Sequence, residues 1–372
     1  MSQKTTISEI IQLIESIAPL SLQESYDNAG LQTGNASATV ESVLISLDVT
    51  EEVIDEAIAK GTSLIIAHHP VIFGGIKKLT GKNPVERIII KAIRNNIAIY
   101  AAHTNIDSIV GGVNTKIADL IGLGNQRILQ PAKDKLKKLV TFVPSSHLEE
   151  IRQAIFDAGA GTIGNYDQCS FNAEGHGTFR GNDDTNPFVG TKGELHTEPE
   201  TRFETIFPEW KQNTIINALT KAHPYEEVAY DIYPLDNLNP QTGAGVIGIL
   251  PEAMDAREFL ARIQTIFQTP VIRHTPLTGK KVKTVAVCGG AGSFLLRDAI
   301  AAGADFFITG DVKYHQFFDA DQRIVLADIG HYESEQFTKE LFYELLTKKF
   351  STFAVHLSEV NTNPVNYYFR NS

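Results

Sequence analysis

Three apolar runs in this sequence end on side chains that can bind metal ions. Leu64 to Ala67 closes on His68-His69-Pro70, and Ile99 to Ala102 closes on His103, with Asp107 four residues further on. Arg323 to Ala327 closes on Asp328-Ile329-Gly330-His331, and Glu335 follows His331 by four residues. Pro70 cannot donate to a strand ladder, so the first run is expected to stop there. Imidazole and carboxylate donors suit zinc, iron or manganese and exclude a soft thiolate site. His68, His69, Asp107, His331 and Glu335 are therefore the candidate ligands of a dinuclear centre for two divalent ions.

Each pair also has a simpler reading. Adjacent side chains on an extended backbone point to opposite faces, so His68 and His69 bind one ion only across a kink, for which Pro70 is the candidate, or bind two ions separately. Asp107 is a hard donor able to bridge two cations. Its alternative is to cap the helix that begins near Val113, but it precedes that helix by several residues, in a stretch whose Asn105 and Gly111-Gly112 read as loop. His331 and Glu335 share one face if a helix begins near residue 331. A carboxylate there also gains from the helix N-terminal partial charge. Otherwise they are polar positions on an exposed helix.

Two further clusters sit at strand ends. In Gly310-Asp311-Val312-Lys313-Tyr314-His315, Lys313 and His315 are candidates to meet an anionic substrate or move a proton, and His103 is the other proton carrier. Gly289-Gly290-Ala291-Gly292-Ser293 opens a helix like a phosphate-cradling turn. It lacks the full dinucleotide pattern and the Lys-Ser/Thr of a P-loop, so close helix–strand packing is the reading adopted.

The elements that must position these groups follow from periodicity. Thr5 to Ile17 is an amphipathic first helix and not a signal peptide. Tyr26-Asp27-Asn28-Ala29-Gly30 carries turn chemistry. Strand Val43 to Leu47 ends at Asp48. A helix follows from Thr50 to Lys60, with Thr50 as N-cap and Gly61 as C-cap. Strand 63–67, helix 84–95, strand 97–102 and helix 113–121 complete an alternation that means a mostly parallel sheet. The pattern changes near residue 125. A lysine-rich entry at 133–138 leads into two successive strand-helix-strand units, with short strands at 169–172 and 177–180. That repeat points to a ferredoxin-like α+β module over residues 126–240. From Gly245 the alternation resumes, with a helix at 293–302, a long helix at 334–348 and a last strand at 352–356. The expected organisation is an α/β core of residues 1–125 and 241–372 sharing one sheet, interrupted by the insert.

The chain has 372 residues and a formal net charge of −11, without long blocks of like charge. The length calls for two or three domains, and the charge argues against a generic nucleic-acid surface. Two distant cysteines, Cys169 and Cys288, make no CxxC pair, which gives no disulfide framework and an expected cytoplasmic location. No apolar run is long enough for a membrane span.

Five segments in order resemble the NIF-three-like family: Tyr26 to Leu31, His68-His69-Pro70, His103 to Asp107, Gly310 to His315, and His331 to Glu335. Its members are often labelled GTP cyclohydrolase 1 type 2 homologs. The resemblance implies a dinuclear metal centre with the five ligands named above, and it puts His103 and His315 in or near the same cleft. It implies that the insert is CutA/PII-like, with Ala222-His223-Pro224-Tyr225-Glu226-Glu227-Val228-Ala229-Tyr230 as its signature. It also implies a homohexameric ring whose sites face an interior cavity. Tyr26 stands where Trp is common in the family. The function expected is metal-dependent hydrolysis of a small, nucleotide-like substrate, with GTP ring opening as the named candidate. The competing expectation is a non-catalytic metal-binding scaffold or metal chaperone with protein partners.

Overall fold

The computed structural model describes residues 5–133, 135–351 and 353–368. The chain divides into two compact units, Met1–Gln130 with Gln241–Ser372, and Pro131–Pro240. In the first segment the elements are α1 (Ile7–Ile17), β1 (Gly30–Thr33), β2 (Ser42–Ser46), α2 (Glu51–Lys60), β3 (Leu64–Ala67), α3 (Pro84–Arg94), β4 (Ala98–Ala101), α4 (Thr104–Asp107), α5 (Val113–Ile121) and β5 (Gly124–Ala132). The second unit contains β6 (Leu136–Pro144), α6 (Leu148–Asp157), β7 (Phe171–Phe179), β8 (His196–Pro208), α7 (Gln212–Ala222) and β9 (Tyr230–Leu235). Then come β10 (Asn239–Met254), α8 (Ala256–Phe267), β11 (Arg273–His274), β12 (Val282–Val287), α9 (Leu296–Ala301), β13 (Phe306–Thr309), β14 (Val325–Asp328), α10 (His331–Glu335), α11 (Thr338–Lys349) and β15 (Ala354–Leu357). The expected start of the last strand at Thr352 lies outside the described residues.

The first unit holds two sheets where one was expected. Their strand orders are β1-β4-β3-β2-β15 and β11-β14-β13-β12-β10-β5. Each segment builds most of one sheet and lends an outer strand to the other: β15 joins the first, parallel to β2, and β5 joins the second beside β10. Because β5 runs on through residue 132, the chain leaves the first unit later than residue 125. The first sheet is parallel except at β1, which runs antiparallel to β4. In the second, β12, β13 and β14 are parallel, with β10 antiparallel to β12 and β11 antiparallel to β14. The parallel strands β3, β4, β13 and β14 are buried at every position, as strands covered on both faces must be.

Local chemistry sets the element ends. Thr50 caps α2 by accepting from the Val53 N–H, and Gly61 closes it at φ 67°. The expected long helix from 334 breaks into α10 and α11, and the glycine-rich turn continues into one 3-10 turn, Ser293–Leu295, before α9. The loop expected at 103–107 contains the helical turn α4.

The second unit is one antiparallel sheet in the order β7-β8-β6-β9, with α6 and α7 contributing Ile151, Ile155, Ile215 and Leu219 to its core. That order, with helices after β6 and β8, is the split strand-helix-strand arrangement of a ferredoxin-like module. The two short strands expected at 169–172 and 177–180 are one continuous strand, β7.

Candidate metal centre

The cluster assembles where β3 and β4 of one sheet and β14 of the other end. After Ala67 the backbone bends, because the N–H groups of His68 and His69 both donate to the Leu47 carbonyl, at 3.1 and 3.0 Å. The bend turns both imidazoles inward, ring centroids 4.8 Å apart. His103 ends the next strand and lies 5.3 Å from the His68 ring and 5.4 Å from the His69 ring. The α4 turn carries Asp107 back to the same place. Gly330, at φ 96°, redirects the chain after β14, and α10 presents His331 and Glu335 from one face.

Each of the four imidazoles is held from behind by an oxygen. His68 Nδ1 lies 2.9 Å from the Ala102 carbonyl, His69 Nδ1 2.7 Å from Asp48 Oδ1, His103 Nδ1 2.8 Å from Asp27 Oδ1 and His331 Nδ1 2.7 Å from Asp311 Oδ2. An acceptor there places a proton on Nδ1 and leaves Nε2 as the ligand nitrogen, the usual arrangement behind metal-bound histidine.

The open nitrogens converge on two carboxylates. Glu335 Oε2 lies 3.1 Å from His69 Nε2 and 3.0 Å from His331 Nε2, and those two nitrogens are 3.4 Å apart. His68 Nε2 lies 3.7 Å from both Glu335 Oε1 and Asp107 Oδ1. Two ligand atoms about 2.1 Å from one ion and 90–110° apart are separated by about 3.0–3.4 Å. The 3.0–3.4 Å spacings around Glu335 Oε2 therefore match atoms that share an ion, while the 3.7 Å spacings of His68 Nε2 are somewhat wider than that and too long for a hydrogen bond. His68 Nε2 and Asp107 Oδ1 are buried and make no hydrogen bond to any described residue. Burying two polar atoms unpaired is costly, and a cation between them removes the cost. Among the described residues, three groups of donors lie close enough to hold an ion: His68, Asp107 and Glu335; His69, His331 and Glu335; and His68, His69 and His103.

The structure thus gathers His68, His69, His103, Asp107, His331 and Glu335 and leaves out His315. His315 is exposed on the 3-10 turn Tyr314–Ala320, its ring edge-on to Tyr314 with centroids 5.2 Å apart, and it does not line the cavity around the cluster. Val312 and Ala320 anchor that turn in the core, which sends the residues between them outward. Lys313 is likewise exposed. The carboxylate common to two donor groups is Glu335, whereas Asp107, expected as the bridge, belongs to one. His103, expected only as a proton carrier, also stands within ligand distance of His68 and His69.

Asp27, Asp48 and Asp311 had no assigned role. Asp48 follows the β2 run as the histidines follow theirs, and Asp27 and Asp311 lie inside quoted motifs. The missing signal is the pairing, which depends on contacts up to 76 residues apart.

The electrostatics suit cation binding. Burial opposes charge on His69, but hydrogen bonds to Asp48 and Glu335 raise its pKa to about 10. His331 is raised to about 9 against the same burial by Glu335 and Asp311. Glu335 is driven well below the usual range by the histidines despite its burial. Burial, offset in part by His68 and reinforced by the charge of Glu335, lifts Asp107 to about 6. Cys288 lines the cavity too, but burial and the two carboxylates raise its thiol pKa and keep it neutral.

The glycine-rich turn packs tightly, as read from sequence, and against the site itself. A Cβ on Gly290 would lie 2.4 Å from Glu335 Oε1, and its φ is +57°. The cavity over the cluster measures about 860 Å³, and the exposed rings of Tyr26, Phe73 and Phe294 line it. No described helix is long and apolar enough to cross a membrane.

The family model for Duf34/NIF3 (NGG1p interacting factor 3) matches residues 5–364. A Halalkalibacterium halodurans protein named GTP cyclohydrolase 1 type 2 homolog is 42% identical over 363 residues, covering 96% of this chain and 98% of the relative. A Bacillus subtilis protein of the same name is 40% identical over 374 residues, covering 99% and 100%. The crystal structure of a Bacillus cereus protein related to NIF3 superimposes with a TM-score of 0.86 at 42% identity, covering 99% of this chain and all of that one.

Proposed function

This chain belongs to the Duf34/NIF3 family, and from that premise and the donor geometry we propose that it is a dinuclear, metal-dependent hydrolase of a nucleotide-like substrate. The observation that carries the proposal is the convergence of backed Nε2 atoms on Glu335 and Asp107, with His68 Nε2 and Asp107 Oδ1 buried and unpaired. His68, Asp107 and Glu335 would hold one divalent ion and His69, His331 and Glu335 the other, with zinc, iron or manganese all suited to the donors. When bound, such ions supply Lewis-acid polarisation and a water that ionises near neutral pH.

The rest of the chemistry belongs to the chain. Asp27 fixes the His103 tautomer and leaves Nε2 open beside the cluster, where it can accept a proton from the attacking water and return it to the leaving group. Asp27 itself stays ionised. Burial raises its pKa, but bonds from His103 and Thr104 outweigh that and hold it at about 2. Tyr26, Phe73 and Phe294 offer apolar faces on which a planar base can stack. Asp48, Asp311 and the Ala102 carbonyl keep the ligand imidazoles from rotating.

The homologues' name makes GTP the first substrate to try. The test is hydrolysis of GTP and a panel of nucleotides and phosphoesters by metal-loaded and metal-stripped protein. Metal-dependent turnover that disappears in Glu335→Ala supports the proposal. A fully loaded protein with no turnover on any panel member reassigns the site to a scaffold or metal-carrier role.

Two finer readings accompany this one. The second unit is taken as CutA/PII-like on its strand order and the resemblance of its His223-Pro224-Tyr225 segment. The assembly is taken as a cytoplasmic homohexameric ring, for which mass measurement in solution is the check. A stable monomer at micromolar concentration contradicts it.

A further inference from the structure

The second unit carries a cavity of its own, about 650 Å³, on the sheet face beside β7 and β8. Its floor is unusual. Glu200 of β8 is only 7% exposed, yet it makes no ion pair with any described residue. Its Oε1 accepts a hydrogen bond from the Tyr225 hydroxyl at 2.9 Å, and its Oε2 accepts none from any described residue. Gly175 pairs with Glu200 across the strands, and Gly177 stands two residues on, on the same face. A Cβ on Gly177 would lie 2.0 Å from Glu200 Oε2, so the absence of a side chain there makes room for the carboxylate.

Aromatic rings wall the same space. Phe179 and Phe188 flank Tyr225, with centroids 6.0 and 6.3 Å from it. Tyr225 is locked in turn by His223. The Tyr225 N–H donates to His223 Nδ1 at 3.1 Å, which leaves the His223 Nε2–H to donate to the Phe142 carbonyl at 3.1 Å. Burial keeps this imidazole neutral, which suits that tautomer. The His223-Pro224-Tyr225 segment therefore fixes one wall and the Glu200 contact together. The charge of the lining is also one-sided. Glu174, Glu200, Glu226 and Glu227 stand against Arg180 and Arg202, and Arg202 is already paired with Glu204 at 2.8 Å.

A buried carboxylate with one free oxygen, beneath aromatic faces and in a net acidic cavity, is complementary to a cation with an apolar body. We propose that this cavity is a binding site for a small organic amine, with Glu200 receiving the ammonium group and Phe179, Phe188 and Tyr225 enclosing its hydrocarbon part. The site lies wholly within the second unit and does not depend on the metal centre or on any hydrolytic activity.

The test is calorimetric titration of the full-length protein with phenethylamine and benzyltrimethylammonium, against 2-phenylethanol as the neutral isostere. Both cations are expected to bind saturably, at least about tenfold more tightly than the alcohol. Glu200→Gln keeps the size of the side chain and an acceptor for Tyr225, and should weaken both cations by about tenfold or more without changing the alcohol. Phe188→Ala removes an exposed ring, so folding is not at risk, and should weaken the cations by about three- to tenfold. The proposal is overturned if neither cation saturates below about 10 mM, if the alcohol binds as well as the amines, or if Glu200→Gln binds the amines like the parent.

Discussion

Replacing Gly290 by Ala tests the metal centre without touching a ligand. The new Cβ would sit 2.4 Å from Glu335 Oε1 and 3.2 Å from His331 Cε1. An ordinary carbon–oxygen contact needs roughly 3.3 Å, so the carboxylate must retreat by about 0.9 Å. Ligand distances tolerate only about 0.2 Å, and Glu335 belongs to two of the three donor groups. Disturbing an outer partner of a metal ligand commonly costs 10–100-fold in affinity, and about 100-fold is expected here because two of the donor groups share this carboxylate. The fold should suffer less, since the atom displaced is the end of a side chain and the φ of +57° costs an alanine about 1–2 kcal/mol. Gly61→Ala is the control. Gly61 has the same kind of φ, +67°, with nothing within 4 Å of the added Cβ. Both variants should lose about 1–2 kcal/mol in denaturant unfolding of the metal-free protein, and only Gly290→Ala should lose metal affinity in a competition titration with a chromogenic chelator. Equal metal affinity in the two variants would refute the position assigned to Glu335.

Three further outcomes are expected. Asp107→Ala removes the only carboxylate that Glu335 does not supply to the three donor groups, and should reduce metal content by about one ion per chain by elemental analysis, taking two as the parent value; unchanged content contradicts its role as a ligand. His103→Ala should retain the Glu335-sharing ions and lower turnover by about 10²–10⁴-fold, whereas His315→Ala should change neither metal content nor turnover; the reverse ranking contradicts the roles argued from their exposure. In metal-free protein His69 and His331, with pKa values of about 10 and about 9, carry protons at pH 7.5 that a metal must displace. Metal affinity should therefore rise with pH, by up to about tenfold per unit for each proton released, more gently above about 9 and levelling near 10, and calorimetry in two buffers should register that release; an affinity flat between pH 6 and 9 contradicts it.

The residues that cluster were legible because their signal is local. An apolar run that stops abruptly at histidine or aspartate marks the end of a buried strand, and that holds for His68, His103 and His331 alike. The caps Thr50 and Gly61 were legible for the same reason. What could not be read is whatever depends on distant pairing. Nothing in the local sequence says that Asp27 backs His103 or that Asp48 backs His69. Nothing local says that β15 leaves its own segment to pair with β2, which is why one sheet was expected and two are found. Spacing alone also left open whether adjacent histidines serve one ion or two. The shared Leu47 carbonyl bends the backbone so that His68 joins the Asp107 group and His69 the His331 group. His315 shows the opposite failure, a motif histidine at a strand end whose turn faces outward because hydrophobic anchors flank it.

Whether this cluster holds two ions is decided by elemental analysis of the purified protein combined with anomalous diffraction at the metal edge. Two ions per chain are expected, one within reach of His68 and Asp107 and the other of His69 and His331, with Glu335 contacting both. A single ion, no ion after metal loading, or two ions with Glu335 turned away from either would contradict it.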